Sequence, residues 1–528
     1  MNSLQNDTSR GLRRTVYLLL AVTALGSAVG RIMQVRASTG ETPMLSANDR
    51  SRWCTIAALV NDGTYAIDSL IERRHPKTKR RHWYSIDMVR HRAADGQEHS
   101  YSSKPPLLPT LLAGEYWLIK KTLGLDIVQN PFYVMRAMLV FTNGLLLICY
   151  FWLMAGLIER LGATDWGRLM AFAIVTWGTL ITTYAVTLSN HLPAAVAVLA
   201  AVTLAAKIQR EGDASLWTSL GAGLAAGFAV ANELPALSLL VLLGAWIYWQ
   251  APVKSSGGYL AGCLLVATAF FGTNYAAHGT WKPAYAHRHD GEVLLELPVS
   301  EVEFLKTWPE DLTEGLAVKG ITISKSATIS ETATKGRWML WDAANQRRLA
   351  VVGRENTVQV RAWGNWYEYP KSYWLNPQGV DQGEPSRLVY TMHMLLGHHG
   401  VFSLTPVWIL SFLGAWVCVR SAPKEFWFWG VACLLLTAVC MAFYVARPLQ
   451  DRNYGGVNCG FRWLIWLIPL WTISLLPAID RAASSPLLRR LTYVALLISV
   501  VSASYAAMNP WSHPWLFDFW TFLGWLAV

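Results

Sequence analysis

The feature that most constrains this chain is a series of long apolar segments. A helix that crosses a membrane needs about 20 mostly apolar residues, and hydropathy along the chain predicts about eleven such stretches. Their approximate bounds are 15–33, 133–157, 168–188, 191–207, 216–232, 234–250, 257–276, 401–419, 425–446, 461–478 and 490–507. The predicted fold class is therefore a mainly α-helical, polytopic membrane protein with amphipathic surface helices and a small mixed α/β outer segment.

Two hydrophilic segments, 34–132 and 277–400, interrupt the apolar pattern. They divide the chain into three predicted domains. An N-terminal membrane module covers 1–276 and contains the first outer loop, 34–132, as the catalytic loop. An outer segment covers 277–400, and a C-terminal membrane module covers 401–528.

The charges predict which way the chain is inserted. The chain has 45 basic and 34 acidic residues, a net charge of +11, yet only 15% of its residues are charged, against about 25% in soluble proteins. In so apolar a chain, Lys and Arg in short loops mark the cytoplasmic side. Basic residues crowd the loops that lie inside if the N-terminus is inside, so we expect a multi-pass protein of the cell (inner) membrane, with 34–132 and 277–400 on the outer, periplasmic face and no binding of nucleic acid.

Residues 105–119 are apolar but too short for an ordinary span. Pro105, Pro106 and Pro109 interrupt them, and Glu115 lies among them. We interpret this stretch as an interfacial or re-entrant helix, because counting it as a span would move every later basic loop to the wrong side.

The start of the first outer segment carries an acidic residue on an apolar helix face. The spacing of Trp53, Ile56 and Val60 predicts a helix over 48–60, which Asn61-Asp62-Gly63 would end. At 100° per residue Asp49 lies within about 40° of that apolar face. Either Asn48 or Asp49 caps the helix, or Asp49 is a reactive carboxylate at a partly dry surface.

Further polar residues recur at the expected outer level. Lys104 precedes Pro105-Pro106, which suits a phosphate ligand at head-group depth, although snorkelling explains it equally well. Asn190, His191 and Glu233 stand at outer ends of spans, where each alone could be a helix cap or a turn residue. Because all three residues are expected at the same depth in the membrane, they favour a binding site there.

These motifs resemble those of the GT-C class of membrane glycosyltransferases, particularly the protein O-mannosyltransferases and the lipid A aminoarabinose transferase. The matching stretches are 49–56 (DRSRWCTI), Lys104-Pro105-Pro106 with Glu115-Tyr116-Trp117, 184–193 (YAVTLSNHLP), 230–235 (VANELP), and the glycine motif from Gly455 to Arg462. Arg50 stands where the family usually has a second acid, and Asn190-His191 where it often has Asp. We therefore predict no metal site built on paired acids, and no cofactor.

The resemblance implies a reaction: transfer of a sugar from a polyprenyl-phosphate carrier to a hydroxyl of a glycan, lipid or protein acceptor, with inversion. Asp49 would be the general base. The phosphate would be bound by the cations Lys104, Arg52, Arg136 and Arg462, and substrate by Asn190, His191, Glu233 and Asp87. Membrane lipids are the remaining expected partners. If Asp49 is only a cap, the base is to be sought among Asp62, Asp68, Asp87 and Glu233.

The second outer segment is expected to form a small cap with strands at 357–361 and in the β-branched stretch 321–335. His393, His398 and His399 give a weak metal signal without a spaced acidic partner. Two other functions stay open: a polytopic transporter and a non-catalytic member of the same fold. Transporters usually hold their ionisable residues near the midplane, whereas here these residues gather at one face.

Overall fold

The computed structural model describes residues 2–211, 215–250, 254–332, 334–421 and 424–526. It is mostly helical. The chain forms two compact units: a helical unit of Met1–Asp49, Gly114–Phe270 and Gly379–Val528, and a sheet-containing unit of Arg50–Ala113 and Phe271–Gln378. These two units are defined by their internal contacts. The division into three domains along the chain stays a prediction.

The described helices, in chain order, are α1 Asn2–Gln34, α2 Ala47–Asn61, α3 Asp68–Ile71, α4 Leu107–Leu123, α5 Pro131–Leu161, α6 Asp165–Trp177, α7 Ile181–Tyr184, α8 His191–Glu211, α9 Leu216–Asn232, α10 Leu237–Gln250, α11 Lys254–His278, α12 Glu301–Ala317, α13 Arg387–Leu395, α14 Val401–Leu404, α15 Val407–Ser421, α16 Lys424–Ala446, α17 Ile468–Ala482, α18 Pro486–Tyr505 and α19 Trp515–Phe522. Short 3₁₀ helices cover Leu234–Ala236, Ala284–Ala286, Tyr373–Leu375, Gly379–Gln382, Leu449–Asp451 and Arg462–Leu467.

Within the described residues, seven helices are long and apolar enough to cross a membrane, which is the pattern of a multi-pass membrane protein. They are Ser9–Gln34, Pro131–Leu161, His191–Gln209, Ser255–His278, Phe426–Ala446, Arg462–Ala482 and Pro486–Tyr505. Leu234–Gln250 and Val407–Arg420 are shorter apolar helices. The predicted number of eleven spans therefore stays a prediction.

Two of the predicted spans are interrupted helices. Within segment 168–188, α6 ends at Trp177, Gly178 is its C-cap, and α7 begins at Ile181. Segment 401–419 is divided into α14 and α15 at Thr405, which precedes Pro406, and a residue before proline avoids the helical conformation. Stretch 105–119 forms most of α4, as the interpretation of it as a helix requires.

The core of the helical unit lies around α8 and the span Arg462–Ala482. In the apolar parts of the spans His191–Gln209 and Arg462–Ala482, 72% and 78% of the residues are buried, against 22% in the span Pro486–Tyr505. The buried face of α8 is rich in alanine, including Ala194, Ala197, Ala201 and Ala205, and small side chains let neighbouring helices approach closely. The beginning of α8, where His191 lies, is thereby held inside the unit.

The sheet-containing unit holds two antiparallel sheets. Its strands are β1 Met88–Arg92, β2 Glu98–Ser102, β3 Val293–Leu297, β4 Thr328–Glu331, β5 Arg337–Asp342, β6 Arg347–Gly353 and β7 Val358–Ala362. β1 pairs with β2 in the register Met88↔Ser102, and the larger sheet has the order β3-β7-β6-β5-β4. α12 adds Phe304, Leu312 and Leu316 to the core of the larger sheet. The strand predicted at 357–361 is β7; among the described residues of 321–335, only Thr328–Glu331 form a strand.

Candidate functional site

Four of the residues singled out in the sequence meet inside the helical unit. Asn190 and His191 lie at the beginning of α8, Glu233 follows the end of α9, and Arg462 begins the 3₁₀ helix before α17. His191 is 1% exposed and Glu233 is 6% exposed. Polar groups buried this deeply must be hydrogen-bonded to be stable.

Hydrogen bonds connect the carboxylate of Glu233 to the guanidinium of Arg462 through the imidazole of His191. Arg462 Nη1 lies 2.9 Å from His191 Nε2, and His191 Nδ1 lies 2.5 Å from Glu233 Oε1. Because arginine can only donate, His191 Nε2 accepts, and the ring carries its proton on Nδ1, which donates to Glu233. Asn190 Nδ2 donates to the same oxygen of Glu233 at 2.7 Å. The imidazole is thus neutral in this arrangement and fixed in one tautomer.

A glycine carbonyl holds the other side of the Arg462 guanidinium. Arg462 Nε and Nη2 donate to the carbonyl oxygen of Gly455 at 3.1 and 2.9 Å. Gly455 has φ +93°, and a Cβ there would lie 2.8 Å from Arg462 Nε. Glycine is therefore required at this position both by the backbone and by the approach of the guanidinium.

Two tryptophans border the same guanidinium. Its carbon lies 4.9 Å from the ring centroid of Trp511 and 5.8 Å from that of Trp463. The side chain is half-buried. Arg462 is thus a positively charged group held in one orientation. Its counter-charge, Glu233, is separated from it by the imidazole of His191.

Asp49 is part of a helix cap, one of the two roles raised from its sequence. Ser46 Oγ accepts from Asp49 N at 3.2 Å, and Asp49 Oδ1 accepts from Ser46 N at 2.8 Å and from Ser46 Oγ at 3.1 Å. This reciprocal pair is a capping box at the beginning of α2. The capping residue is thus Ser46, with Asp49 at the third helical position.

The second oxygen of Asp49 is also engaged. Oδ2 accepts from Leu45 N at 2.9 Å and from Thr187 Oγ1 at 3.0 Å. A carboxylate offers about four lone-pair sites, and this one, only 1% exposed, receives four donors. The geometry is that of a structural acceptor. A role as base is not tested by it.

Thr187 and Trp511 connect Asp49 with the Arg462 cluster, and the sequence analysis missed both. Trp511 Nε1 donates to Thr187 Oγ1 at 3.4 Å, and the Trp511 ring contacts Arg462. Thr187 lies in the quoted stretch 184–193, three residues before Asn190, and this spacing was the one available signal. Trp511 follows the last apolar segment and belongs to no recognised motif.

Arg136 has other partners. Its Nη2 donates to the carbonyl of Val35 at 2.8 Å, and its guanidinium lies 4.7 Å from the ring centroid of Phe132. These contacts fasten the beginning of α5 to the residue after α1. They neither require nor exclude a ligand.

The remaining candidates belong to the sheet-containing unit. Lys104 Nζ forms an ion pair with Asp87 Oδ2 at 3.0 Å, so the residue predicted to bind the carrier phosphate pairs with one predicted to bind substrate. Arg52 is 3% exposed on the buried part of α2. In this unit the sequence also missed a stack of rings, in which Trp366 lies 4.0 Å from His91 and 3.5 Å from His287. Burial lowers the pKa of each of these histidines to about 4.

His393, His398 and His399 pack together with aromatic rings. The ring centroids of His393 and His398 are 4.1 Å apart, and Tyr454 lies 4.9 Å from His399. Burial lowers the pKa of His398 to about 3, which keeps the ring neutral. The stacked rings of His393 and His398 are typical of core packing rather than of ligands converging on one ion. All seven cysteines, Cys54 and Cys459 included, are free thiols.

Comparison with known proteins finds similarity among solved structures. No protein-family model matches the sequence, and no curated protein matches it. The structure is similar to that of the archaeal oligosaccharyltransferase AglB from Archaeoglobus fulgidus, solved in complex with an inhibitory peptide and a dolichol-phosphate, with 13% sequence identity and a TM-score of 0.41. The likeness covers 97% of this chain and 58% of that chain. At this level it assigns no function to any residue.

Proposed function

We propose that the protein transfers a sugar from a polyprenyl-phosphate carrier to an acceptor hydroxyl at the outer face of the membrane, and that Arg462 binds the carrier phosphate. The observation that carries the proposal is the orientation of Arg462 by Gly455 and His191. An arginine held in this way presents a fixed fork of donors, which matches the geometry of a phosphate.

The proposed chemistry needs a cation where the carrier leaves. The bond from the sugar's anomeric carbon to the phosphate oxygen breaks, and the acceptor oxygen forms a bond to that carbon on the opposite side, which inverts its configuration. Negative charge grows on the departing phosphate as this bond breaks. A pre-oriented guanidinium stabilises that charge without having to reorganise.

Glu233 and His191 are proposed to position Arg462. Glu233 fixes the tautomer of His191, and that tautomer supplies the lone pair that accepts from Arg462. A direct Glu–Arg pair would neutralise the guanidinium and occupy its donors. The intervening neutral imidazole leaves the positive charge available for an anion.

Asp49 remains the proposed base for the acceptor proton. Because four donors fill its carboxylate, the acceptor hydroxyl must replace one of the two hydroxyl donors, that of Thr187 or that of Ser46. The backbone donors from Leu45 and Ser46 can stay in place. They would hold the carboxylate in one orientation during proton transfer.

The other site residues are proposed as secondary ligands. Lys104 and Arg52 would supply further positive charge to the phosphate, and Arg136 would do so at the beginning of α5. Lys104 would have to exchange Asp87 for the ligand. Asn190 and Asp87 would contact substrate. The proposal retains eleven spans in the cell (inner) membrane, with the N-terminus inside.

The test is lipid mass spectrometry of membranes from cells with the intact protein, without it, and with Arg462→Met. We expect a polyprenyl-phosphate sugar to accumulate without the protein and with Arg462→Met. The matched control is Arg447→Met, because Arg447 pairs with Asp451 and lies outside the His191 cluster. Unchanged carrier lipids without the protein would overturn the proposal, leaving the transporter or the non-catalytic member of the fold.

A further inference from the structure

A groove of about 700 Å³ runs along the helical unit between α1 and α5. One wall is a row on α1 at intervals of four residues, and the opposite wall is a similar row on α5. The row on α1 consists of Arg10, Arg14, Leu18 and Val22, and that on α5 of Ile148, Trp152, Gly156 and Arg160. Residues four apart lie on the same face of a helix, so each row faces the groove along its whole length.

The two rows end in arginine at the same end of the groove. Arg13 of α1 pairs with Glu159 of α5 at 2.9 Å, whereas Val35, after the end of α1, accepts from Arg136 near the beginning of α5. The helices are therefore antiparallel. Arg10 and Arg14 near the start of α1 thus lie at the same end as Arg160 near the end of α5.

Among the side chains that the structure describes, the acidic residues at this end do not balance its positive charge. Glu159 pairs with Arg13, and Asp165 pairs with both Arg13 and Arg168. The two negative charges and the two positive charges of these four residues cancel. Within the described part of the chain, Arg10, Arg14 and Arg160 form no ion pair and donate no hydrogen bond, so three positive charges border the groove.

Apart from Tyr17, Glu159 and Thr203, the rest of the groove lining is apolar, and it is open. Leu18 is 63% exposed, Val22 is 56% exposed and Trp152 is 74% exposed. From Arg14 to Leu25 the helix rises about 16 Å at 1.5 Å per residue. This is about half of the roughly 30 Å hydrocarbon core of a bilayer, which is the depth of one leaflet.

We propose that this groove binds an anionic phospholipid. The head-group phosphate would contact Arg10, Arg14 and Arg160, and an acyl chain would lie along Leu18, Val22 and Trp152. Basic pockets between membrane helices bind anionic head groups in this manner. Charge complementarity and a length of one leaflet favour a membrane phospholipid over a free anion.

The lipid site is separate from the Arg462 cluster. Asn143 of α5 donates to the carbonyls of Ala185 and Thr187, near that cluster. The groove begins beyond this point, at Ile148, and continues away from it to Arg160. The proposal therefore stands whether or not the chain transfers a sugar.

The experiment measures the unfolding temperature of the full-length protein in detergent during titration with phosphatidylglycerol, phosphatidylcholine, inorganic phosphate or a polyprenyl phosphate. We expect phosphatidylglycerol to stabilise the protein most strongly. Changing Arg10, Arg14 and Arg160 together to Gln should weaken its apparent affinity at least about 10-fold, since each hydrogen bond to a charged group contributes to binding. Arg490→Gln, an exposed arginine of α18, is the matched control and should have no effect.

A second pair of variants tests the groove itself. A Cβ at Gly156 meets nothing within 4 Å, so Gly156→Leu fits its helix while filling the groove. Gly26→Leu is the control, because Gly26 has the same free space and does not line the groove. We expect only Gly156→Leu to weaken binding of phosphatidylglycerol. Equal stabilisation by phosphatidylcholine, by inorganic phosphate or by polyprenyl phosphate, or unchanged affinity in the arginine variant, would overturn the proposal.

Discussion

The helical unit uses arginine differently in two regions. In the region of Arg13, the guanidinium contacts Glu159 and Asp165 directly, at 2.9 and 2.7 Å. In the region of Arg462, a neutral His191 stands between the guanidinium and Glu233. The direct pair cancels its own charge and joins α1 to α5. The relayed arrangement holds an arginine in place without neutralising it by contact.

This difference suggests a criterion for distinguishing structural arginines from binding arginines in an apolar protein. An arginine without any counter-charge is costly within a bilayer, and one in a direct ion pair has few donors left for a ligand. A carboxylate that acts through an imidazole satisfies the need for a counter-charge and leaves donors of the guanidinium available. Each of the following predictions tests one side of this comparison.

The largest expected effect concerns Asp49, which Thr187 and Trp511 link to the Arg462 region. If Asp49 is the base, Asp49→Asn lowers turnover about 10²- to 10⁴-fold. It also lowers stability by roughly 1 to 3 kcal/mol, because an amide cannot accept from both Leu45 N and Ser46 N with the same two oxygens. Turnover and thermal unfolding are measured on the same preparations.

Thr187→Val is the matched control for Asp49→Asn. It removes one hydroxyl donor from Asp49 Oδ2 and leaves the carboxylate unchanged. We expect it to lower stability by about 1 kcal/mol and to retain most of the turnover. If both variants lose turnover only in proportion to their loss of folded protein, Asp49 is a cap and nothing more.

The next largest effect is expected at the buried ion pair of Arg13 with Glu159. Removing one partner of a buried pair costs about 3 to 5 kcal/mol, because the other charge stays buried. Asp165 still compensates Arg13 in part, so we expect Glu159→Ala to lower the free energy of unfolding by about 3 kcal/mol. Denaturation in detergent measures this. A change within about 0.5 kcal/mol, the range of ordinary surface substitutions, would contradict a structural role for the pair.

A smaller effect is expected at Glu233, which is connected to Arg462 through His191. In Glu233→Gln the amide can present an N–H to His191, which favours the tautomer with its proton on Nε2, opposite the Arg462 donors. We expect carrier binding to weaken about 10-fold, the equivalent of one neutral hydrogen bond. Glu384→Gln is the control. Loss of stability with unchanged carrier affinity would show that Glu233 only supports the fold.

The smallest effect is expected for the exposed partner of Arg13. The side chain of Asp165 is 55% exposed, and exposed ion pairs contribute about 0 to 1 kcal/mol. Asp165→Asn should therefore lower the free energy of unfolding by less than about 1 kcal/mol. A loss as large as that of Glu159→Ala would mean that Arg13 depends on both acids equally.

Local patterns predicted much of the fold. Helical periodicity predicted the helix over 48–60, which is observed as Ala47–Asn61, and alternation predicted β7. Each of the eleven apolar segments contains helix where the structure describes it. The breaks within 168–188 and 401–419 were missed, because hydropathy averages over about 20 residues and does not register a turn of two or three.

Contacts between distant segments could not be predicted. The sheet-containing unit joins Arg50–Ala113 with Phe271–Gln378, although more than a hundred residues separate them. In the site, the residue types predicted that Asn190, His191 and Glu233 lie at one level, but not that His191 would bond to Arg462. The pairing of Lys104 with Asp87 and the four donors to Asp49 likewise depend on tertiary geometry, which spacing along the chain does not encode.

The central claim is that Arg462 binds the carrier phosphate, and the most direct test is equilibrium binding of a polyprenyl phosphate to the purified protein in detergent. We predict that Arg462→Met weakens binding about 10- to 150-fold, the equivalent of one charge-assisted contact, while the affinity of Arg447→Met stays close to that of the unmodified protein. Because Arg462→Met also removes the donor to Gly455 O and His191 Nε2, its thermal unfolding is measured to show that the variant is folded when its affinity is determined. Unchanged affinity in a folded Arg462→Met protein would contradict the claim.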